Sequence, residues 1–292
     1  MARISFIGLG NMGLPMAQNL AKAGHDVTGF DALPAACETA KKVGLTIGVS
    51  NSQVAETAEI VILMLPNGQI VQDVAKAVLT TLSKRSLLID CSTIDVNSAK
   101  ALHEMASNAD ILSLDAPVSG GVGGAASGTL TFMVGGSKEA FDIGASYFEI
   151  MGQKAVHCGD GGSGQSAKIC NNMMLGISMI ATCEAFAMAE KLGLSQSALF
   201  DVVSTSSGSC WSVNTYCPVP GVGPQSPADN DYKAGFAAAL MLKDMDLSQQ
   251  AAGSVDAATP LGEHATRLYK QMVDQGKGGA DFSAIIHHLN NK

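Results

Sequence analysis

The residues best placed to do chemistry are Lys168 and Asn172, four apart near the start of a long apolar stretch. No proline interrupts residues 164–194, and Gly176 is the only glycine between Gly164 and Gly193. This pattern predicts one helix, capped near Ser163 or Gly164 and ended near Gly193. Residues four apart share a helix face, so the ammonium and the amide point the same way. An ammonium near a helix N-terminus meets the positive end of the dipole, and partial burial disfavours its charge further. Both effects lower its pKa below the roughly 10.4 of a free lysine, which suits a general acid or base. Spacing alone equally allows a lysine that reaches to solvent from the helix start. Beyond Asn172 almost every position is Ala, Ile, Leu, Met, Cys or Phe, so the helix is expected to be buried nearly all round.

A second constellation sits at the other end of the chain. The apolar residues Ile4, Phe6 and Ile7 run into Gly8, Leu9, Gly10, Asn11, Met12 and Gly13, a GxGxxG. A strand precedes it, a helix over 14–23 follows, and Asp31 closes a second strand 18 residues after Gly13. That context is the dinucleotide fingerprint. The first glycine permits the tight turn, the second lets a pyrophosphate approach the backbone, and the third lets helix and strand pack closely. The helix N-terminus then faces the phosphates. Asp31 is expected to accept from the adenosine ribose hydroxyls. A carboxylate there repels a 2′-phosphate, so the cofactor read from these residues is NAD rather than NADP. The alternative is a turn aspartate capping the helix after Pro34.

A third constellation is Asp115, Ala116, Pro117, Val118, Ser119, Gly120 and Gly121. A strand end followed by Ser-Gly-Gly brings a hydroxyl and free backbone N–H groups together, a nest for a carboxylate. A flexible glycine-rich hairpin is the other reading.

These groups need a frame that presents them together. Strands expected at 59–65 and 87–90 alternate with helices at 71–82 and 98–107, the latter capped by Asp95 or Asn97. Further strands at 129–134 and 154–157 flank a helix at 138–148. Continuous apolar strands belong inside a parallel sheet. In an open α/β sheet the ligand lies outside the carboxyl ends of the strands. That places Leu65 and Pro66 at the adenosine or ribose and Thr93 at the nicotinamide ribose, although each also fits ordinary turn chemistry. The fold class is therefore an N-terminal α/β Rossmann domain, doubly wound and mostly parallel, over 1–163. An all-α C-terminal domain over 164–292 follows, joined by the long helix. In that second half, Ser195 caps a helix at 196–204, and further helices are expected at 236–252, 260–275 and 281–289. The Pro- and Gly-rich residues 214–235 form a candidate lid or binding loop. Lys243 reads, taken alone, as a solvated lysine.

Composition narrows the function. A chain of 292 residues is long enough for two cores. With 15% charged residues and a formal charge of −8, neither nucleic acid nor an anionic membrane is an expected partner. The seven cysteines lack metal spacing and read as reduced, mostly core thiols of a cytoplasmic protein. No metal site is expected, and His287 and His288 read as a solvated tail. No signal peptide is evident, and residues 173–183 fall short of the roughly 18–20 that a membrane span requires.

Taken together, the chain resembles the 3-hydroxyacid (β-hydroxyacid) dehydrogenase family along essentially its whole length, and most of all its 3-hydroxyisobutyrate branch. The carriers are the Gly8 to Gly13 motif with Leu14, Pro15 and Met16; Met64, Leu65 and Pro66; Asp90, Cys91, Ser92 and Thr93; the segment from Asp115 to Gly121; Gly162, Ser163 and Gly164 leading to Lys168, Asn171 and Asn172; and Lys243 with Asp244. The branch rests on Ser209, Cys210 and Trp211 and on Pro218, Val219, Pro220 and Gly221 with Tyr232, Gly235 and Phe236. Cys210 departs from the branch, where an Arg-Ser-Trp is the more typical run. The resemblance implies that Lys168 is the acid/base, that Asn172 holds it or the substrate, and that Ser119, Gly120 and Gly121 take the carboxylate. It assigns Trp211 to the substrate and puts Lys243 in the cofactor cleft. It implies NAD-dependent oxidation of a small 3-hydroxy acid, 3-hydroxyisobutyrate to methylmalonate semialdehyde in valine breakdown, by a homodimer or homotetramer built through the helical domain. The rival activities are reduction of tartronate semialdehyde, glyoxylate or succinate semialdehyde. A non-catalytic reader or an imine reductase fits less well, because Lys168 and Asn172 are both present.

Overall fold

The computed structural model describes residues 1–290. The chain divides into two compact units, Met1–Lys168 and Ile169–Lys292. The first unit carries β1 (Arg3–Ile7), α1 (Gly13–Lys22), β2 (Asp26–Phe30), α2 (Pro34–Lys42), β3 (Thr46–Ile47), α3 (Asn51–Ala55), β4 (Ile60–Leu63), α4 (Gly68–Leu79) and β5 (Leu87–Asp90). It continues through α5 (Val96–Asn108), β6 (Leu112–Asp115), β7 (Val118–Ser119), α6 (Gly121–Ser127), β8 (Leu130–Gly136), α7 (Lys138–Met151) and β9 (Gly152–Gly159) to the start of α8 (Ser163–Lys191).

One sheet organises this unit, in the order β3-β2-β1-β4-β5-β6-β8-β7, with β9 paired to β8. The strands from β3 across to β6 are parallel. β8 runs antiparallel to both β6 and β7. Every side chain of β4 and β5 is buried, as their unbroken apolar runs require when helices cover both faces. Phe6, Met16, Leu20, Phe132 and Phe148 fill one face, and Val61, Leu63, Val71, Leu88 and Leu102 fill the other. Short polar side chains start the helices by accepting first-turn N–H groups: Ser50, Asn67, Asp95 and Ser137. Such caps satisfy backbone donors that have no partner within the helix. The glycine-rich run after Ser119, for which a flexible hairpin was the other reading, folds into the short helix α6.

The second unit is helical: the rest of α8, then α9 (Gln196–Val203), α10 (Trp211–Asn214), α11 (Ala238–Ser254), α12 (Pro260–Met272) and α13 (Ile285–Asn290). Among the described residues its only β-type pairs are the isolated bridges Lys233↔Ala280 and Ala237↔Asp281. Met179, Cys183 and Phe186 of α8 pack with Met241, Met245, Leu268, Tyr269 and Phe282 in its core.

Five expectations are corrected here. α8 is not buried all round: Met174 is 69% and Met188 61% exposed, because the unit packs against one side of the helix only. α8 is also long and apolar enough in composition to cross a membrane, yet its buried side chains belong to a protein core. Residues 214–235 are not a loose lid. Cys217, Val219, Val222, Ala228 and Tyr232 are buried in the core, and Ser226 and Asp229 form a capping box around the turn Pro227–Asn230. Nor do the two C-terminal histidines form a solvated tail: His288 is buried with its ring nitrogens on Gln275 and Gln271, and His287 packs edge-on against Tyr232. All seven cysteines are free, with Cys91, Cys183 and Cys217 buried and Cys170 exposed. The core thus holds fewer of them than composition suggested.

Candidate active site

The carboxyl ends of the parallel strands form the floor of the site in the first unit. Strand order reverses between β1 and β4, and the Gly8 to Gly13 turn and the Leu65-Pro66 turn leave the sheet on either side of that switch point. Gly8 has φ +97°, and a Cβ on it would lie 2.2 Å from the Met64 carbonyl oxygen. A Cβ on Gly13 would lie 1.9 Å from the Gly8 oxygen. A Cβ on Gly10, by contrast, would meet nothing within 4 Å. No side chain caps α1, so the start of the helix lies open beside bare glycine backbone, where the dipole favours an external anion. These features fit a dinucleotide pyrophosphate.

Asp31 is half-buried. Its Oδ2 accepts from the Leu9 N–H at 2.7 Å and its Oδ1 from the Leu33 N–H at 2.7 Å. The carboxylate therefore ties the glycine turn to the end of β2. Each oxygen keeps a further lone pair for a hydroxyl. Leu65 donates its N–H to the Ser92 hydroxyl at 2.8 Å, which fastens the turn after β4 to the turn after β5, where half-buried Thr93 sits.

Lys168 is 7% exposed. Its Nζ donates to the Val118 carbonyl oxygen at 2.8 Å, so the solvent-reaching arrangement is not the one adopted. Val118 immediately precedes Ser119, Gly120 and Gly121, and both glycines have positive φ, +132° and +62°. Positive φ at two successive positions suits glycine and keeps side chains off this stretch of backbone. Lys168 and the Ser119 segment are thus brought together. One turn along α8, Asn172 is 2% exposed and donates to Asp244 Oδ2 at 2.5 Å. Asp244 lies on α11 and is itself 4% exposed.

Trp211 begins α10 and is half exposed. Its ring stacks on Tyr216 at 4.7 Å, and the Tyr216 hydroxyl donates to Asp281 Oδ2 at 2.9 Å. Burial, reinforced by the Asp281 charge, pushes the Tyr216 phenol well above its ordinary value, so it remains a donor. Half-buried Lys243 lines an open concavity of about 600 Å³ on α11 with Ala239, Leu242, Asp246, Leu247 and Gln250. A larger concavity of about 670 Å³ lies at Arg3, Glu59 and Arg85, on the amino side of the sheet. It is far along the strands from the glycine turn and belongs to no part of the site.

Three buried polar residues were given no role by the reading of the sequence: Asp115, Gln165 and Asp244. Each lies inside a stretch singled out there, next to a more conspicuous residue. The available signal was the placement of a polar side chain where apolar ones surround it. Apart from His103, which lies 12 residues from Asp115, their partners are 47 to 73 residues away along the chain, which no local pattern reveals.

Residues 3–159 match the family described as the NAD binding domain of 6-phosphogluconate dehydrogenase. Residues 162–289 match the one described as NAD-binding of NADP-dependent 3-hydroxyisobutyrate dehydrogenase. A probable 3-hydroxyisobutyrate dehydrogenase of Mycobacterium tuberculosis is 47% identical over 289 residues, covering 99% of this chain and 98% of that protein. The chain belongs to the 3-hydroxyisobutyrate dehydrogenase family. The mitochondrial 3-hydroxyisobutyrate dehydrogenase of Mus musculus is 44% identical over 292 residues, 99% of this chain and 87% of that one. A solved Mycobacterium tuberculosis 3-hydroxyisobutyrate dehydrogenase with L-serine superposes with a TM-score of 0.96 at 47% identity, covering 99% of each chain. An imine reductase from Myxococcus stipitatus, 14% identical with a TM-score of 0.67, shares the fold alone. Membership of the 3-hydroxyisobutyrate dehydrogenase family makes this chain an NAD-dependent oxidoreductase acting on a small hydroxy acid.

Proposed function

We propose that the chain oxidises 3-hydroxyisobutyrate to methylmalonate semialdehyde, with Lys168 as general base. The observation that carries this reading is the buried Lys168 amine, hydrogen-bonded to the carbonyl that precedes the Ser119, Gly120 and Gly121 nest. A base beside a carboxylate cradle suits a small hydroxy acid, and the family supplies the 3-hydroxy acid as its class. NAD, when bound, supplies the hydride acceptor. Gly8, Leu9, Gly10, Asn11, Met12 and Gly13 would hold its pyrophosphate, Asp31 the adenosine ribose, Leu65 and Pro66 the adenosine, and Thr93 the second ribose. Lys243 is assigned to the cofactor. The nest and Ser119 orient the substrate carboxylate, Trp211 supplies an apolar wall, and Lys168 takes the proton of the 3-hydroxyl. Asn172, fixed by Asp244, orients the lysine or the substrate.

Asp31 favours NAD over NADP, since its charge opposes a 2′-phosphate. Kinetics with the two cofactors at equal concentration test this, and a preference for NADP overturns it. NADH formation with 3-hydroxyisobutyrate tests the activity itself. No rate there, alongside NADH consumption with tartronate semialdehyde or succinate semialdehyde, would establish the rival reductase instead.

The apolar residues left open on α8 support a homodimer or homotetramer assembled through the second unit. Cys170, Met174, Ala181 and Met188 are exposed and recur at intervals of four and seven, a single stripe along the helix. Exposed apolar faces of this kind are usually covered by a partner. Light scattering on the purified protein gives the copy number, and a monomer at micromolar concentration rejects the assembly. The seven free thiols support cytoplasmic residence.

A further inference from the structure

We infer that Asp115 is a positioning residue for Lys168: its buried carboxylate clamps the first turn of α8 and so sets where the amine stands. This rests on the assignment of Lys168 as the base.

Asp115 ends β6 and is fully buried. Its Oδ1 accepts from the Gly162 N–H at 2.7 Å and its Oδ2 from the Gln165 N–H at 2.9 Å. Gly162 and Gln165 flank the start of α8, and Gln165 is its third residue. An N-capping side chain normally accepts from this same position. Here the cap comes from a residue 50 positions away on the central sheet rather than from the helix itself. The helix start is thereby fastened to β6, and Lys168 follows three residues after Gln165.

The surroundings are built to hold the carboxylate still. His103 Nε2 lies 2.9 Å from Oδ1, and His103 Nδ1 is 2.7 Å from the Ser113 hydroxyl. A carboxylate that receives these bonds accepts, so Nε2–H donates to it, and a hydrogen bond between Nδ1 and the Ser113 hydroxyl holds the ring. Gly164 permits the close approach: a Cβ there would sit 2.4 Å from the Asp115 carbonyl oxygen and 2.3 Å from that of Met133. Gln165 extends the clamp. Its side chain, also fully buried, donates to the Ser92 carbonyl at 2.7 Å and accepts from the Ile94 N–H at 3.1 Å. It thereby spans the Thr93 turn. One helical turn thus ties together β6, the turn after β5 and the lysine.

The effect on the reaction is geometric. A displacement of about 1 Å in a reacting group costs about 100-fold in rate. Asparagine at 115 has the same shape but one accepting oxygen, so an N–H2 group must face one of the two backbone donors. The first turn then shifts or frays.

The test uses the full-length protein with NAD and 3-hydroxyisobutyrate. For Asp115→Asn, kcat is expected to fall about 10- to 100-fold, with KM for the hydroxy acid and the Kd for NAD within about threefold. Hydrogen exchange at the Gly162 and Gln165 amides should accelerate at least tenfold, a readout independent of turnover. A chain that fails to bind NAD counts as misfolded. The test then passes to Gln165→Leu, which keeps the backbone bond to Asp115 and removes only the side-chain bridge, with an expected kcat loss of about 10-fold. Lys168→Ala is run in parallel. If it keeps near-normal turnover, the base assignment fails while the exchange data still report on the clamp. If Lys168→Ala is inactive but Asp115→Asn shows normal kcat and normal amide exchange, Asp115 is not a positioning residue.

Discussion

The first turns of α8 and the turns that follow belong to one unbroken helix, yet they bury different chemistry. Up to Asn172 the polar groups are engaged from outside the helix: Gln165 by Asp115, Ser92 and Ile94, Lys168 by Val118, and Asn172 by Asp244. Beyond Asn172 the core contacts are mainly those of Met179, Cys183 and Phe186, with the hydroxyls of Ser178 and Thr182 meeting Ser212 and Cys210, while Met174 and Met188 stand open. A helix with this composition gives no hint from hydrophobicity alone of where it reacts. What localises the chemistry is the set of distant donors and acceptors that make a buried polar side chain affordable.

Substitutions at the two ends should therefore fail in different ways. Lys168→Ala should lower kcat about 1,000-fold, the range expected for losing a general base, while thermal stability and NAD binding remain. Near wild-type turnover would erase the contrast at once.

A second test compares neighbouring carboxyls beneath the reactive end. Asp90 and Asp115 face each other across β5 and β6. Asp115 receives two backbone N–H groups and a histidine, whereas Asp90 receives the Ser92 N–H and leaves Oδ2 without a partner. Burial, with the Asp115 charge adding to it, pushes Asp90 up to about 7. The folded chain thus holds this proton more tightly than the unfolded chain, whose aspartate titrates near pH 4. Its contribution to stability is complete below about pH 4 and is lost as pH rises to about 7, at most about 4 kcal/mol in all. Asp90→Asn should flatten that decline between urea unfolding curves at pH 5 and pH 8. An unchanged difference would show that Asp90 does not titrate in this range.

At the apolar end, Met179→Ala should cost about 2–5 kcal/mol in urea unfolding, leaving kcat of the folded fraction within a few-fold. Loss of turnover without loss of stability would blur the division along the helix. The smallest effect on folding is expected for Met174→Lys with Met188→Lys, within about 0.5 kcal/mol for exposed sites. The same pair should dissociate the assembly in light scattering, and an unchanged copy number would remove α8 from the interface.

Much of this architecture was legible before any coordinates. The apolar strand and glycine turn ahead of α1, the unbroken runs of β4 and β5, and the caps Asp95 and Ser195 all rest on local rules, and the structure follows them. The short elements β3, α3 and α6 were not anticipated, because five or fewer residues, or a glycine-rich turn, carry too little periodicity. The loop at 214–235 misled for a related reason. Its prolines and glycines describe the backbone, while the burial of Val219 and Tyr232 depends on helices further along the chain.

By itself the sequence determined the class of fold and the dinucleotide turn, since these follow from spacing, backbone sterics and residue chemistry over short distances, and it put forward Lys168, Asn172 and Asp31 as candidates. Only the tertiary structure decided what holds those groups in place. It joined Asp115 to the start of α8, Asn172 to Asp244 and Lys168 to Val118. Such pairings arise when packing brings distant segments together and excludes water, leaving each buried polar group to find its partner within the protein.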